Sequence, residues 1–227
     1  MEQHVCDTYV RILKNELIVA LGCTEPIAIA YAGALARKVL GAMPQKVNVA
    51  CSGNIVKNVK GVTVPNSGGR RGIEIAALLG VCGGDAQRRL AVLESVTDET
   101  RARAVELLEA GICETSLIEG TDNLVVQVTA RAGGDEAFVE IRTTHTNVTR
   151  MERNGENLLE GEQAQEVCAP APDKKLLNVR DILTYGETVD LARVRDVLEN
   201  QIQCNRTISQ TGLAGHYGAE VGATLRS

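Results

Sequence analysis

Apolar residues recur every three or four positions near both ends of the chain, a spacing typical of amphipathic helices. Within the first forty residues this pattern predicts two helices, and we expect Gly22 to end the first of them. Near residue 100 the pattern is bounded by a helix cap, Thr97, and by a terminating glycine, Gly111. Further helices are predicted over 73–81, 97–110, 179–183 and 191–204.

Alternating apolar and polar residues in the middle of the chain predict β-strands. The expected strands cover 45–51, 112–118, 124–132 and 136–144. Gly133-Gly134-Asp135 joins the last two as a hairpin. The stretch 52–72 is rich in Gly, Asn and Lys, so we expect a functional loop with one helical turn. A helix followed by several strands favours an α+β, sandwich-like fold over a doubly wound sheet.

A polar stretch with two prolines, residues 160–175, is the best candidate for a linker. We therefore expect a discontinuous helical module, formed by 1–40 and 178–227, with an α/β domain inserted at 41–165 and a linker at 166–177. The last ten residues still have helical character, so the second part of the module is expected to be truncated.

Composition excludes several classes of partner. Of the 227 residues, 44% are hydrophobic and only 2% aromatic, and the net charge is -5. Scarce aromatic and dispersed basic residues argue against nucleic acid. No apolar run approaches the roughly 20 residues that cross a bilayer, so no membrane partner is expected. Without a basic segment followed by an apolar one at the N-terminus, we expect a cytoplasmic protein.

Cys23 is distinguished from the other six cysteines by its surroundings, Gly22-Cys23-Thr24-Glu25-Pro26. The cysteines form no C-x-x-C pair, which argues against a disulfide framework and a zinc knuckle. Thr24 can cap the second helix and Pro26 fits its first turn, so Cys23 is expected at a helix start, where a thiolate is favoured. Two interpretations remain open: a buried small residue, or a thiolate that binds a metal or acts as a nucleophile.

Polar side chains that suit a small anionic ligand follow the first predicted strand, at Ser52, Asn54, Lys57 and Asn58. Their amide and ammonium groups can bind a carboxylate or phosphate, although an ordinary surface connection has the same composition. His145 closes the fourth predicted strand. It is a candidate proton donor or substrate clamp, with a structural role as the alternative.

Together these segments resemble the first half of the iron–sulfur L-cysteine desulfidase family, which is related to the alpha chain of iron–sulfur L-serine dehydratases. The motifs that carry the resemblance are Glu16, residues 20–26 (Ala-Leu-Gly-Cys-Thr-Glu-Pro), Asn54, Lys57-Asn58, residues 61–65 (Gly-Val-Thr-Val-Pro), His145-Thr146-Asn147, Ser209-Gln210, Gly212-Leu213 and residues 222–225. Arg70-Arg71 departs from the family pattern, and that loop is not carried over as a site.

The resemblance implies an oxygen-sensitive lyase with a four-iron–four-sulfur cluster and without pyridoxal phosphate. Cys23 matches the family's first cluster ligand. The other two ligands are expected in the second half of the family, so this chain alone should hold no cluster and should be inactive. In the complete protein, L-cysteine or L-serine would undergo α,β-elimination to pyruvate and ammonia, with release of sulfide or water.

The same resemblance implies roles for individual residues. Glu25 and His145 are the catalytic candidates. The candidates for binding the small amino-acid substrate are Ser52, Asn54, Lys57, Asn58 and Asn147. Apolar residues at the two ends of the chain favour a homo-oligomer. The rival hypothesis is a non-enzymatic module that binds a small molecule or mediates oligomerisation.

Overall fold

The computed structural model describes residues 1–159 and 172–226. Residues 160–171 and Ser227 lie outside the described residues, and with them Cys168 and the first half of the expected linker at 166–177. In the described ranges, no helix combines the length and apolarity that crossing a bilayer requires.

The described residues form helices α1 to α8 and strands β1 to β6. The helices are α1 (Gln3–Glu16), α2 (Thr24–Leu40), α3 (Gly53–Gly61), α4 (Ile73–Gly83), α5 (Asp98–Glu109), α6 (Val179–Thr188), α7 (Arg195–Ala214) and α8 (Val221–Arg226). The strands are β1 (Lys46–Ser52), β2 (Cys113–Ile118), β3 (Val125–Ala132), β4 (Asp135–Arg142), β5 (Val148–Arg153) and β6 (Glu156–Asn157). Short 3-10 segments cover Ala86–Ser95, Lys174–Leu176 and Leu191–Arg193. The predicted α+β class is confirmed.

The strands form one sheet in the order β2-β1-β3-β4-β5-β6. β1 and β2 run parallel, and all other neighbours are antiparallel. Gly133 and Gly134 make the turn from β3 to β4 with φ values of 60° and 109°, which glycine adopts without a steric penalty. The predicted hairpin is therefore confirmed.

The two faces of the sheet differ in polarity. Val49, Val128 and Val139 are buried in the core against which α2 packs. The opposite face carries polar side chains that bond to each other, as where Gln127 Nε2 donates to Glu140 Oε2 over 2.7 Å. A mostly antiparallel sheet with one covered face has this alternation.

Two glycines let α2 and α4 meet backbone to backbone. A Cβ on Gly33 would lie 2.6 Å from the carbonyl oxygen of Ala77, and a Cβ on Gly80 would overlap the carbonyl group of Ala30. Eleven of the seventeen residues of α2 are buried, so this helix is apolar on nearly every side, as a central helix must be. The packing fixes the direction in which α2 presents its N-terminus.

Contacts among the described residues form two compact units. The central unit contains residues 20–159, and the terminal unit contains residues 1–19 and 172–226. The boundary therefore lies near residue 20 and not at the expected position 40, because α2 is buried in the central unit. A small core of five buried residues holds the terminal unit: Tyr9, Val10, Ile12, Tyr185 and Val194.

Three local expectations are wrong. α1 ends at Glu16 and residues 17–23 are not helical, so Gly22 does not end a helix. The expected loop at 52–72 contains the nine-residue helix α3, stabilised by burial of Ile55 and Val59 one turn apart. Strands β5 and β6 extend the sheet where the sequence predicts none.

Candidate functional site

The start of α2 brings two of the sequence motifs together. Gly22 has a φ of +88°, and a Cβ there would lie 3.3 Å from Cγ of Pro65. Cys23 is extended and takes the cap position before the first helical residue, Thr24, so Thr24 is not the cap that the sequence suggested. Pro26 lies in the first turn, as predicted. Cys23 therefore stands at a helix start whose direction the α2–α4 packing fixes.

The carboxylate of Glu25 is the centre of the site. Cys23 Sγ donates a hydrogen bond to Oε2 over 2.9 Å, and Asn58 Nδ2 donates one to Oε1 over 2.9 Å. Partial burial raises the pKa of Glu25, but the hydrogen bonds and the nearby charge of His145 outweigh it, and the pKa lies below its ordinary value. Glu25 is thus an ionised acceptor that joins the start of α2 to α3.

His145 brings an unpartnered nitrogen to this region. It lies in the turn between β4 and β5, and its Nε2 atom is buried without a hydrogen-bond partner among the described residues. Burial lowers the pKa of the imidazole, and the charge of Glu25 opposes that shift. A buried polar atom without a partner costs free energy, so Nε2 marks a place where a ligand's polar group would be bound favourably.

Cys23 is held as a thiol. Burial raises the pKa of Cys23, and the hydrogen bond to the Glu25 carboxylate raises it further, against a smaller lowering by a backbone hydrogen bond. These causes oppose the helix-start effect that favours a thiolate. In this chain on its own they favour the thiol, and the position of Cys23 at a helix start is confirmed.

The hydroxyl of Ser52 is hydrogen-bonded to the backbone of the protein. Its side chain is buried, donates to the backbone carbonyl of Asn123 over 2.7 Å and accepts from the backbone N–H of Val125 over 3.2 Å. Both bonding functions of the hydroxyl are therefore used within the protein. Asn54 is exposed beside Ser52 and lines an open cavity of about 320 Å³ with the 117–123 segment.

The two remaining binding candidates have different surroundings. Lys57 is exposed on α3, one position before the residue that holds Glu25 and therefore on another side of the helix. Asn147 shapes the turn that carries His145, because its Nδ2 donates to the carbonyl of Arg142 over 3.0 Å and to Oγ1 of Thr143 over 3.1 Å. Its amide nitrogen is thus engaged in the structure of the turn, and its role in binding the substrate stays a prediction.

The other cysteines in the central unit are separate from this site. Burial raises the pKa of Cys51 and of Cys113 to about 12, and that of Cys82 to about 11. Cys51 is fully buried in β1, as expected of a core residue. Within residues 1–159 and 172–226, no group of three or more His, Cys, Asp or Glu side chains is arranged to hold a metal ion.

Sequence reasoning selected Cys23, Glu25, Asn58 and His145 but missed how they are connected. It assigned Asn58 to the substrate, whereas the amide holds Glu25. The buried state of His145 Nε2 was also unforeseen, since it depends on a turn 120 positions away from Glu25 in the sequence. The only feature of the sequence that indicated a shared site is that all four residues match motifs of a single family.

Comparison with known proteins finds close relatives of this region. The UPF0597 protein of Lachnoclostridium phytofermentans is 44% identical over 214 residues, 94% of this chain and 51% of that protein. The UPF0597 protein of Finegoldia magna is 44% identical over 218 residues, 96% of this chain and 52% of that protein. That of Treponema denticola is 40% identical over 220 residues, with 96% and 51% covered.

This chain spans about half the length of the curated relatives that it matches. Its homologues are named UPF0597 proteins, and that name states no activity. No family model matches the chain. The relationship to iron–sulfur L-cysteine desulfidases therefore stays a hypothesis.

Proposed function

We propose that this chain is the Cys23-bearing half of an enzyme that removes the β-substituent of L-cysteine or L-serine. The products are pyruvate and ammonia, with sulfide or water. One observation carries the proposal: the Glu25 carboxylate is held by Cys23 and Asn58, and a buried, unpartnered nitrogen of His145 lies in the same region. The resemblance of these motifs to the iron–sulfur desulfidases supports it.

A four-iron–four-sulfur cluster fits this chain through one residue only. Cys23 offers a partly exposed thiol, oriented by Glu25, and the described residues add no second thiol there. The other ligands would come from the half of the longer relatives that this chain does not match. When bound, the cluster supplies an open iron as a Lewis acid for the departing sulfur or oxygen.

The chain's own residues divide the remaining work. Elimination needs a base for the proton on Cα of the substrate. Without a cluster, Glu25 accepts hydrogen bonds from Cys23 and Asn58; as a cluster ligand Cys23 would be a thiolate, and only the bond from Asn58 would remain. His145 Nε2 has no partner in the described structure, and because burial lowers the pKa of His145, the imidazole is neutral near pH 7 and able to take a proton. We therefore assign the base to His145, and to Glu25 the positioning of Cys23 before the cluster binds.

The bond changes balance without a further reactant other than water. His145 takes the Cα proton, and the bond from Cβ to sulfur or oxygen breaks, which leaves 2-aminoacrylate and releases hydrosulfide or hydroxide. The proton on His145 then passes to the released group, which gives hydrogen sulfide or water and restores the base. Water then converts 2-aminoacrylate to pyruvate and ammonia. Asn54 and Lys57 stay candidates for the substrate carboxylate, since both are polar and exposed near the start and middle of α3.

The proposal is tested in a full-length protein that contains this chain, purified without oxygen. Cys23→Ser should lose bound iron, visible absorbance and pyruvate formation from both amino acids. Cys82→Ser, a partly exposed cysteine in the same unit, is the matched control and should keep all three. Full iron content in Cys23→Ser would remove the ligand assignment.

His145→Asn tests the base separately. Because the variant has no general base at this position, the rate of pyruvate formation should fall by roughly 100-fold or more, while the iron content stays unchanged. An unchanged rate would exclude His145 as the base. If the iron-loaded wild-type protein formed no pyruvate from either amino acid, the non-enzymatic hypothesis would replace the proposal.

A further inference from the structure

The two units differ sharply in how much apolar surface they expose. In the described part of the central unit, residues 20–159, only Met43 and Leu117 are large hydrophobic residues with exposed side chains. The much shorter terminal unit exposes thirteen such residues, seven of them on α6, α7 and α8. Scattered apolar residues are normal on a protein surface, but this concentration marks an interaction surface.

The exposed residues follow helical spacing on two helices. Val179, Ile182 and Leu183 lie one turn apart on α6, and Val221 and Leu225 do so on α8. Val179 is 75% exposed and Leu225 84% exposed. We call the exposed apolar residues of α6, α7 and α8 the terminal apolar surface.

The longest helix of the described chain belongs to this surface and buries little. Only Val197 and Leu198, near its start, pack against the small terminal core. None of the 20 residues of α7 is fully buried, and Ile202 and Ile208 are 63% and 71% exposed. A helix in water gains most of its stability by packing an apolar face, and the terminal unit offers a core of only five residues. α7 therefore needs a partner that the described residues do not supply.

We propose that the terminal apolar surface is the docking site for the other half of the longer polypeptide that the relatives form. The matched region is about half of each relative, so another stretch of similar length belongs to the same chain. A partner tethered in one chain reaches a high effective concentration, which favours it over a second copy of this half. This inference does not depend on the reaction proposed above.

The test uses the full-length protein that contains this chain, with a protease site placed after residue 227, so that both halves fold together before the connection is cut. Light scattering after gel filtration measures the mass of the cleaved protein, and a dilution series measures the affinity between the halves. A 1:1 complex is expected. Leu183→Asp and Ile208→Asp should each weaken it by roughly 10- to 100-fold.

Leu117→Asp is the matched control, since Leu117 is 54% exposed on β2 of the central unit. It should leave the complex unchanged. All three positions are exposed, so the variants should keep the circular dichroism of the wild type. No complex between the two halves would overturn the proposal. A homodimer of this chain that Leu183→Asp or Ile208→Asp disrupts, without a 1:1 complex, would assign the surface to a second copy instead.

Discussion

Gly80→Ala should destabilise the central unit, although alanine is the better helix former. In a helix interior the exchange of Gly for Ala is favourable by about 1 kcal/mol. At Gly80, however, the added methyl group would overlap the carbonyl group of Ala30 on α2. The obstructing atoms are backbone, so they cannot rotate away, and α2 and α4 must separate on the order of 1 Å to restore a van der Waals distance.

Overpacking of this kind costs about 1–3 kcal/mol, and a backbone obstacle places Gly80 at the upper end. Subtracting the gain in helix propensity leaves a net loss of about 2 kcal/mol. Peptide-resolved hydrogen–deuterium exchange is the assay, because it reports the opening of α2 and α4 apart from that of the terminal unit.

Gly61→Ala is the matched control in the same unit. Gly61 ends α3, and a Cβ there meets nothing within 4 Å, so alanine should stabilise by about 0.4–1 kcal/mol. If Gly80→Ala exchanged as slowly as the wild type while Gly61→Ala was stabilised, the backbone contact between α2 and α4 would be refuted.

Two further predictions follow from single contacts. Asn58→Leu leaves one oxygen of the partly buried Glu25 carboxylate without its donor and should lower the free energy of unfolding by about 1–3 kcal/mol. Lys57→Leu, at the adjacent exposed position, should change it by no more than about 0.5 kcal/mol. Urea unfolding compares the two variants, and equal effects would contradict the contact between Asn58 and Glu25. Asp7 accepts a hydrogen bond from Arg193, which holds the pKa of Asp7 below its ordinary 3.8. Ionised Asp7 therefore stabilises the terminal unit above pH 3.8, and this stabilisation is lost as the pH falls through the lower pKa of the folded state. The difference in urea midpoint between the wild type and Asp7→Asn should therefore be present at pH 7 and shrink below pH 3.8; a difference that does not change with pH would count against this ion pair.

Much of the fold could be predicted because the relevant signals are local. The Gly133-Gly134 hairpin and the Thr97 cap, which in the structure accepts from the backbone N–H of Thr100, depend on residues next to each other in sequence. Helix α3 was missed because glycine, asparagine and lysine hide its short buried stripe of Ile55 and Val59. Polar residues dominate β5, since it pairs near the edge of the sheet.

The site was predictable as a set of residues but not as an arrangement. Cys23 and Glu25 are neighbours, so their contact was within reach of sequence reasoning. Asn58 reaches Glu25 only through the packing of α3, and the charge of His145 acts on Glu25 only because of the position of the β4–β5 turn. The α2 boundary failed for a related reason: a helix that is apolar on nearly all sides gives no stripe that identifies its partner.

The distance in sequence between the parts of the site has a consequence for biosynthesis. Cys23 precedes His145 by 122 positions. At about 5–20 residues per second, the ribosome adds those positions in roughly 6–24 s. Throughout that interval the thiol belongs to a nascent chain that lacks the β4–β5 turn, and an uncovered thiol is open to oxidation or to chance metal ions. Any partner of Cys23 that also needs His145 must therefore bind after the turn has been synthesised.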